Sequence, residues 1–478
     1  MSNNIKSQAI KGVVWSSIER FSMQGVQFVL GIIMARLLTP DDYGLIGMIF
    51  VFMSISQVFI DGGFANALIQ KQNRTETDFS TVFYINLGIS IIFYILLFIS
   101  APYIASFYNI PSLTDITRIY SINLILNSLV AINKTKLVIA VDFKTQTKIS
   151  FTAALFSGIL GIYCAYTGWG VWSIVIQTLS SAILNVILSF YYVRWTPLWS
   201  FSYTSFKSLF SFGSKLLIAS LISNVYNNLY VFIIGKKFSA NSLGIYTRAD
   251  QFANFASANL GNILLRVAFP ILSQIQDDDD RLIRVYRKYI TMSALIIFPF
   301  ILGLCGIAKP LIILLLSEKW IDCVIILQIL CFSYLWNSVI TINLNLLNVK
   351  GRSDLVLKLE IIKKTIAFTI LFISLNFNLI GICIGLAVYP LIAFYLNTYY
   401  THKLLNYGFK KQFLEICPYL VTSLFIMTEA LLISAYIENS IISLCISLII
   451  CPISYILICY TLKFDAVIEL LNIIKQRR

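Results

Sequence analysis

The chain has 478 residues, of which 58% are hydrophobic and only 12% charged, with a mean hydropathy of +0.82 and a formal net charge of +14. A water-soluble domain cannot bury so much apolar surface, so lipid is the expected solvent. The cations are spread through short connections instead of forming one patch, which excludes nucleic acid binding as the reason for the charge.

Lys6 and Lys11 precede the first apolar run, which is long and lacks a small-residue cleavage site; it reads as a retained helix, not a signal peptide. Apolar runs of about 20 residues or more predict about fourteen transmembrane helices, near 12–37, 43–69, 79–106, 113–139, 149–168, 171–193, 209–235, 243–270, 286–308, 321–349, 354–375, 379–402, 412–435 and 440–462. The connections between them are too short for a separate soluble domain. Every second connection is basic, with Lys71 and Arg74, Lys134 and Lys136, Arg194 and Lys207, Arg281 to Lys288, Lys350 and Arg352, and Lys403 to Lys411. The intervening ones, such as 108–111 and 376–378, are nearly free of cations, with Lys236, Lys237 and Lys319 as exceptions. That alternation places both termini and the basic loops in the cytoplasm.

Two stretches copy each other. Ala35-Arg36-Leu37-Leu38-Thr39-Pro40-Asp41-Asp42-Tyr43-Gly44-Leu45 matches Gly235-Lys236-Lys237-Phe238-Ser239-Ala240-Asn241-Ser242-Leu243-Gly244-Ile245 in its basic residue, its hydroxyl, its short polar pair and its glycine. Weaker anchors follow in order: Pro102 with Pro310, Asn127-Ser128 with Asn337-Ser338, Asn133 with Asn343, Gly170 with Gly381. The repeat maps predicted helices 1–6 onto 7–12. Because six is even, both copies enter from the same side, and their pseudo-twofold axis runs along the membrane normal. The expected division is an N-terminal six-helix lobe at 1–200, a second at 201–408, and two further helices with a tail at 409–478.

Polar side chains gather on helices that the repeat makes equivalent. In the first helix Ser16, Arg20, Gln24 and Gln27 share a face. The seventh carries Ser220, Ser223, Asn224, Asn227 and Asn228, with Asn224 and Asn227 aligned to Gln24 and Gln27. The second offers Ser54, Gln57 and Asp61; the eighth offers Arg248, Asp250, Gln251, Asn254, Ser257, Asn259, Asn262 and Arg266. Lipid does not tolerate such faces, so a hydrated cavity between the lobes is expected; the alternative is that the amides and hydroxyls only join helices. Arg20 and Asp61 both fall roughly 14 to 15 Å from the cytoplasmic face at 1.5 Å per residue and are within reach of each other. An intramembrane guanidinium suits an oxyanion such as pyrophosphate, so Arg20, Arg248 and Arg266 are expected to neutralise one, with Asp61 or Glu19 taking up a coupling cation. A structural Arg20–Asp61 ion pair and a snorkelling Arg248 are the competing readings. Asp61-Gly62-Gly63 also suits a helix break or a close helix approach.

Other signals point to structure. Asp277 to Asp280 reads as a helix start and not as a magnesium cluster. His402 stands alone and builds no metal site. Glu360, Lys363 and Lys364 sit at pairing distance along one helix. The nine cysteines are scattered singly, as packing residues. No catalytic group, metal site or cofactor is expected, and the chain does not read as an enzyme.

The segment from Gly12 to Gln70, with Trp15-Ser16-Ser17-Ile18-Glu19-Arg20-Phe21, the 35–44 motif and Asp61-Gly62-Gly63-Phe64, resembles the polysaccharide transporter family of Wzx-type flippases. Gly244-Ile245-Tyr246-Thr247-Arg248-Ala249 and Phe269-Pro270-Ile271-Leu272-Ser273-Gln274-Ile275-Gln276 resemble its WzxC-like branch. The resemblance implies an all-α MATE-like fold of the multidrug/oligosaccharidyl-lipid/polysaccharide superfamily in the bacterial inner membrane. It also implies a substrate, an oligosaccharide on undecaprenyl pyrophosphate flipped to the periplasmic leaflet for O-antigen, capsule or exopolysaccharide assembly. Proton or sodium coupling, and a complex with a polymerase and chain-length regulator, would accompany that role. Two other readings stand beside it: a cation-coupled multidrug exporter of the same fold, whose cavity would carry fewer arginines, and a membrane-embedded polymerase or glycosyltransferase, for which the outer loops are short.

Overall fold

The computed structural model describes residues 23–468, with the side chains at 212, 215 and 258–270 outside that description. Among the described residues the regular structure is helical. Two compact units emerge, Met1–Gly244 and Ile245–Arg478. The first holds α1 (Met23–Leu37), α2 (Pro40–Asp61), α3 (Phe64–Gln70), α4 (Glu76–Tyr108), α5 (Leu113–Tyr120), α6 (Ile122–Ile139), α7 (Phe143–Tyr166), α8 (Val171–Val193), α9 (Tyr203–Lys237) and the start of α10 (Ala240–Gln274). The second holds the rest of α10, then α11 (Asp279–Gly306), α12 (Ala308–Leu316), α13 (Cys323–Leu335), α14 (Asn337–Val349), α15 (Ser353–Ser374), α16 (Leu379–Leu405), α17 (Phe409–Tyr436) and α18 (Ser440–Thr461).

Eleven helical segments among the described residues are long and apolar enough to cross a membrane, which makes this a multi-pass membrane protein. Fourteen were expected. The three others are α1, whose described part is short, and α10 and α15, which are long enough but polar: α10 carries Arg248 and Asp250, and α15 carries Lys358, Glu360, Lys363 and Lys364. On α4 the residues Ile92, Ile95, Leu96, Ile99 and Tyr103 are all exposed at helical spacing, a stripe stable only against lipid. The first unit's core includes Phe64, Leu68, Phe83, Ile132 and Trp195, while Tyr286, Phe298, Trp320 and Phe394 are fully buried in the second.

Several predicted spans are broken. The second breaks at Gly62 and Gly63, whose φ values of 50° and 72° suit glycine. A Cβ on Gly63 would lie 2.6 Å from the Gly213 carbonyl oxygen, and one on Gly213 would lie 2.6 Å from that of Gly62. The glycines therefore serve both as helix break and as close contact for α9. The fourth and tenth spans, which the repeat pairs, each divide into two helices, at Ser121 and at Trp336.

The repeated motif has a local explanation. Thr39 caps α2, its hydroxyl accepting from Asp42 N at 3.4 Å while the Asp42 carboxylate accepts from Thr39 N at 2.9 Å. Ser239 stands in the same place before α10, its hydroxyl accepting from Ser242 N at 3.1 Å. The recurring hydroxyl is thus a helix cap. The recurring glycines, Gly44 and Gly244, lie five residues on, and each abuts the backbone of the other copy at Ala240 and Pro40. Asn241 Nδ2 donates to Asp41 Oδ2 at 3.0 Å, joining equivalent positions of the two copies. Such reciprocity is what a local twofold produces.

Candidate functional site

Polar side chains of the first unit meet where α2 packs on α9. Both helices place them three or four residues apart, so Ser54, Gln57 and Asp61 share one face of α2, and Asn224, Asn227 and Asn228 share one of α9. Ser54 Oγ donates to Asn224 Oδ1 at 3.2 Å. The same oxygen accepts from Asn228 Nδ2 at 3.1 Å, which fixes the Asn224 amide. One turn along α2, Gln57 Nε2 donates to Asp61 Oδ1 at 2.8 Å, and the charge of Lys134 on α6 acts on that carboxylate. That long-range influence was not foreseen, because Lys134 reads in sequence as one more basic loop residue. Gln24 is half-buried on α1, and Gln27 and Asn227 are exposed.

The second unit holds the α10 residues. Arg248 is 8% exposed and its Nη1 donates to Gln251 Oε1 at 2.7 Å. Asp250 Oδ1 accepts from the Tyr334 hydroxyl at 2.7 Å, and Ser257 Oγ donates to the Tyr334 carbonyl at 3.2 Å, so α13 is stitched to α10 through one tyrosine. Asn254 is exposed. Tyr334 is a residue that sequence reasoning missed: nothing in its local pattern marks it among the apolar residues of α13. Glu19 and Arg20, and the side chains of Asn259, Asn262 and Arg266, lie outside the described residues.

Two further networks have structural roles. Gln412, fully buried, receives Asn343 Nδ2 on its Oε1 at 2.9 Å. Its Nε2 donates to Asn343 Oδ1 at 3.1 Å and to the Tyr407 carbonyl at 3.1 Å. Lys136 Nζ lies 2.8 Å from Glu76 Oε1, and Trp195 Nε1 donates to Glu76 Oε2 at 2.7 Å, tying the start of α4 to α6 and to the chain beyond α8. Asp278 caps α11, accepting from Arg281 N at 3.0 Å, and Asp279 pairs with Lys350 at 2.6 Å. The aspartate run therefore does the capping work expected of it. Lys363 pairs with Glu360 at 2.5 Å. Lys236, one of the exceptions to the charge alternation, donates to the Phe107 carbonyl and lies 4.1 Å over the Phe107 ring, satisfying an open carbonyl at the end of α4. All nine cysteines are free thiols, and all but Cys417 and Cys445 are buried. Among the described residues no group of His, Cys, Asp or Glu is placed to hold a metal ion.

Comparison with known proteins gives a consistent picture. Residues 33–325 match the model of a family described as polysaccharide biosynthesis protein. The teichuronic acid biosynthesis protein TuaB of Bacillus subtilis is 27% identical over 74% of this chain and 73% of its own length. The lipopolysaccharide biosynthesis protein WzxC of Escherichia coli is 25% identical over 75% of this chain and 74% of its own. Among solved structures, the lipid II flippase MurJ in an inward closed conformation superposes with a TM-score of 0.71 at 15% identity, over 94% of this chain and 99% of that one. An inward-facing multidrug resistance MATE family transporter gives 0.60 at 16% identity, over 83% and 99%. The fold is therefore MurJ- and MATE-like.

Proposed function

Because the chain belongs to the polysaccharide biosynthesis protein family, we propose that it is a flippase carrying an undecaprenyl-pyrophosphate-linked oligosaccharide from the cytoplasmic to the periplasmic leaflet, for O-antigen, capsule or exopolysaccharide assembly. The observation that carries the reading is the polar seam of α2 and α9, Ser54 with Asn224 and Gln57 with Asp61, set in helices apolar enough to span a membrane. An ionisable group in a span costs about 2.5 to 3.5 kcal/mol on insertion scales, and such groups mark transport paths. Exposed Gln27, Asn227 and Asn254 need water beside them for the same reason.

In this mechanism the two lobes alternate in access. The head group enters a hydrated cavity while the lipid tail stays in the bilayer. Arg20, Arg248 and Arg266 neutralise the pyrophosphate, and Gln24, Gln27, Asn224, Asn227 and Asn254 donate to sugar and phosphate oxygens. Asp61, or Glu19, changes occupancy between states and so couples a proton or sodium gradient to the movement. Basic loops and both termini lie in the cytoplasm by the charge alternation of the sequence. A polymerase and a chain-length regulator are the expected partners, and apart from the coupling proton or sodium ion the cycle uses no cofactor and no nucleic acid.

The test is deletion of the gene in its native host, followed by localisation of the lipid-linked repeat unit, with wild type and Arg20→Ala as complements. Accumulation on the cytoplasmic leaflet, reversed by wild type and not by the variant, is the expected result. Unchanged surface glycan and lipid intermediates, in a host without a redundant flippase, would discard the proposal in favour of a drug exporter.

A further inference from the structure

The second unit also holds a cavity of about 640 Å³ between the starts of α11 and α17 and the end of α18. Arg284, Arg287, Lys288 and Lys463 line it, opposed by Glu415 and Asp465. Arg287 and Glu415 cancel as a bidentate pair, with Nη2 2.6 Å from Oε1 and Nε 3.1 Å from Oε2, and the Tyr407 hydroxyl holds the same carboxylate at 2.5 Å. Of the other lining residues, Arg284 and Lys463 face the single carboxylate of Asp465, which leaves positive charge in the wall.

The cavity is built by a specific turn. After α18 the Phe464 N–H bonds the Cys459 carbonyl at 3.1 Å and the Lys463 N–H bonds that of Tyr460 at 3.2 Å, a Schellman closure with Lys463 in the left-handed region at φ 54°. Glycine is the usual occupant of that position, yet here a lysine fills it and contributes to the cavity wall. The chain then returns to α17, where the Phe464 ring packs edge-on to Tyr419 at 5.0 Å and Ala466 N donates to the Tyr419 hydroxyl at 3.5 Å.

Along the same helices runs an apolar groove of about 430 Å³, lined by Leu295, Pro299 and Gly303 of α11, Ile426 of α17, and Leu448 and Pro452 of α18, among others. Residues 284, 287, 288, 291, 295, 299 and 303 follow one another at helical spacing, so cavity and groove lie on one continuous face of α11. Leu295 is about 16 Å from Arg284 along that axis, within the depth of one leaflet, which is half of a bilayer of about 40 to 45 Å. Exposed Phe300, Leu448 and Ile456 leave the groove open at the protein surface.

We infer that this face holds an anionic phospholipid of the membrane, its phosphate in the cavity at Arg284 and Lys463 and an acyl chain in the groove below. Basic pockets between transmembrane helices recognise anionic head groups in this way, and the apolar groove on the same face selects a lipid over a free anion. The site shares no residue with the α2/α9 seam and does not depend on which substrate is carried.

The experiment is native mass spectrometry of the purified full chain with added phosphatidylglycerol or phosphatidylethanolamine, and inorganic phosphate as competitor. Wild type retains phosphatidylglycerol preferentially. Arg284→Ala combined with Lys463→Ala lowers its affinity about thirtyfold, from roughly 1 kcal/mol per cation. Gly303→Leu, at a position where a Cβ meets nothing within 4 Å, fills the groove and weakens retention of the lipid without disturbing the fold, checked by elution volume and melting temperature. Equal retention of the two lipids overturns the proposal. So does displacement by inorganic phosphate with no effect of Gly303→Leu, which would mark a free-anion site, and so does exclusive retention of a polyprenyl phosphate, which would mark a substrate site.

Discussion

Gly44 and Gly244 occupy equivalent places in two copies of one motif, and each presses against the backbone of the other copy. A Cβ on Gly44 would lie 1.7 Å from the Ala240 carbonyl oxygen, and one on Gly244 would lie 1.8 Å from that of Pro40. The obstacle in each case is main chain, which no rotamer change can move aside.

Gly44→Ala and Gly244→Ala are therefore each expected to destabilise the protein by about 1–3 kcal/mol or more, the range for overpacking against an unyielding neighbour. Gly88→Ala is the control: its Cβ meets nothing within 4 Å, and alanine is favoured over glycine in a helix by up to about 1 kcal/mol. Melting temperatures in detergent check this. Equal behaviour of the three variants would refute the close contact.

Ser54 and Asn224 should show coupling in a double-mutant cycle, Ser54→Ala with Asn224→Ala, of about 0.6 kcal/mol, the average for hydrogen bonds between membrane helices. Unfolding free energies in mixed micelles supply the measurement. Full additivity would mean that the two side chains do not bond in the folded protein.

Asp61→Asn keeps the shape and the Gln57 contact but removes the exchangeable charge. If Asp61 couples transport, this variant folds normally and loses export of the surface glycan, while Gln57→Ala loses less. Wild-type export by Asp61→Asn would leave Glu19 as the carboxylate to test.

Gln412→Leu removes the centre of the Asn343, Thr401 and Tyr407 network in the second unit. Asn343 is fully buried, so its amide loses partners without access to water, at a cost of about 1–3 kcal/mol. A melting temperature unchanged from wild type would show the network to be dispensable.

Asp278→Ala should cost about 1 kcal/mol through the lost cap of α11, whereas Asp277→Ala should be near neutral. Adding magnesium should leave the melting temperature of wild type unchanged. A magnesium-dependent rise abolished by these substitutions would restore the metal-cluster reading of the aspartates.

What could be read in advance divides by range. The cap at Asp278 and the Glu360–Lys363 pair join residues three apart, so the pattern of neighbours is enough. The Gly62-Gly63 break was visible as a glycine pair, but its contact with Gly213 was not, since nothing near Gly213 distinguishes it from other helix glycines. Arg20, expected beside Asp61, lies outside the described residues, and the hydrogen-bond partner found for Asp61 is Gln57.

The sequence by itself determined that the chain lives in lipid, where many of its helices run, and that one motif occurs twice. Hydropathy and short-range capping chemistry carry that information. Only the tertiary structure decided that the two motifs touch, that Ser54 finds Asn224 across 170 residues, and that Tyr334 meets Asp250. The physical reason is the solvent. Lipid tails are as apolar as leucine, so hydrophobicity does not distinguish the face of a helix that meets protein from the face that meets the bilayer. Packing of particular small and polar residues makes that choice, and it depends on all the helices at once.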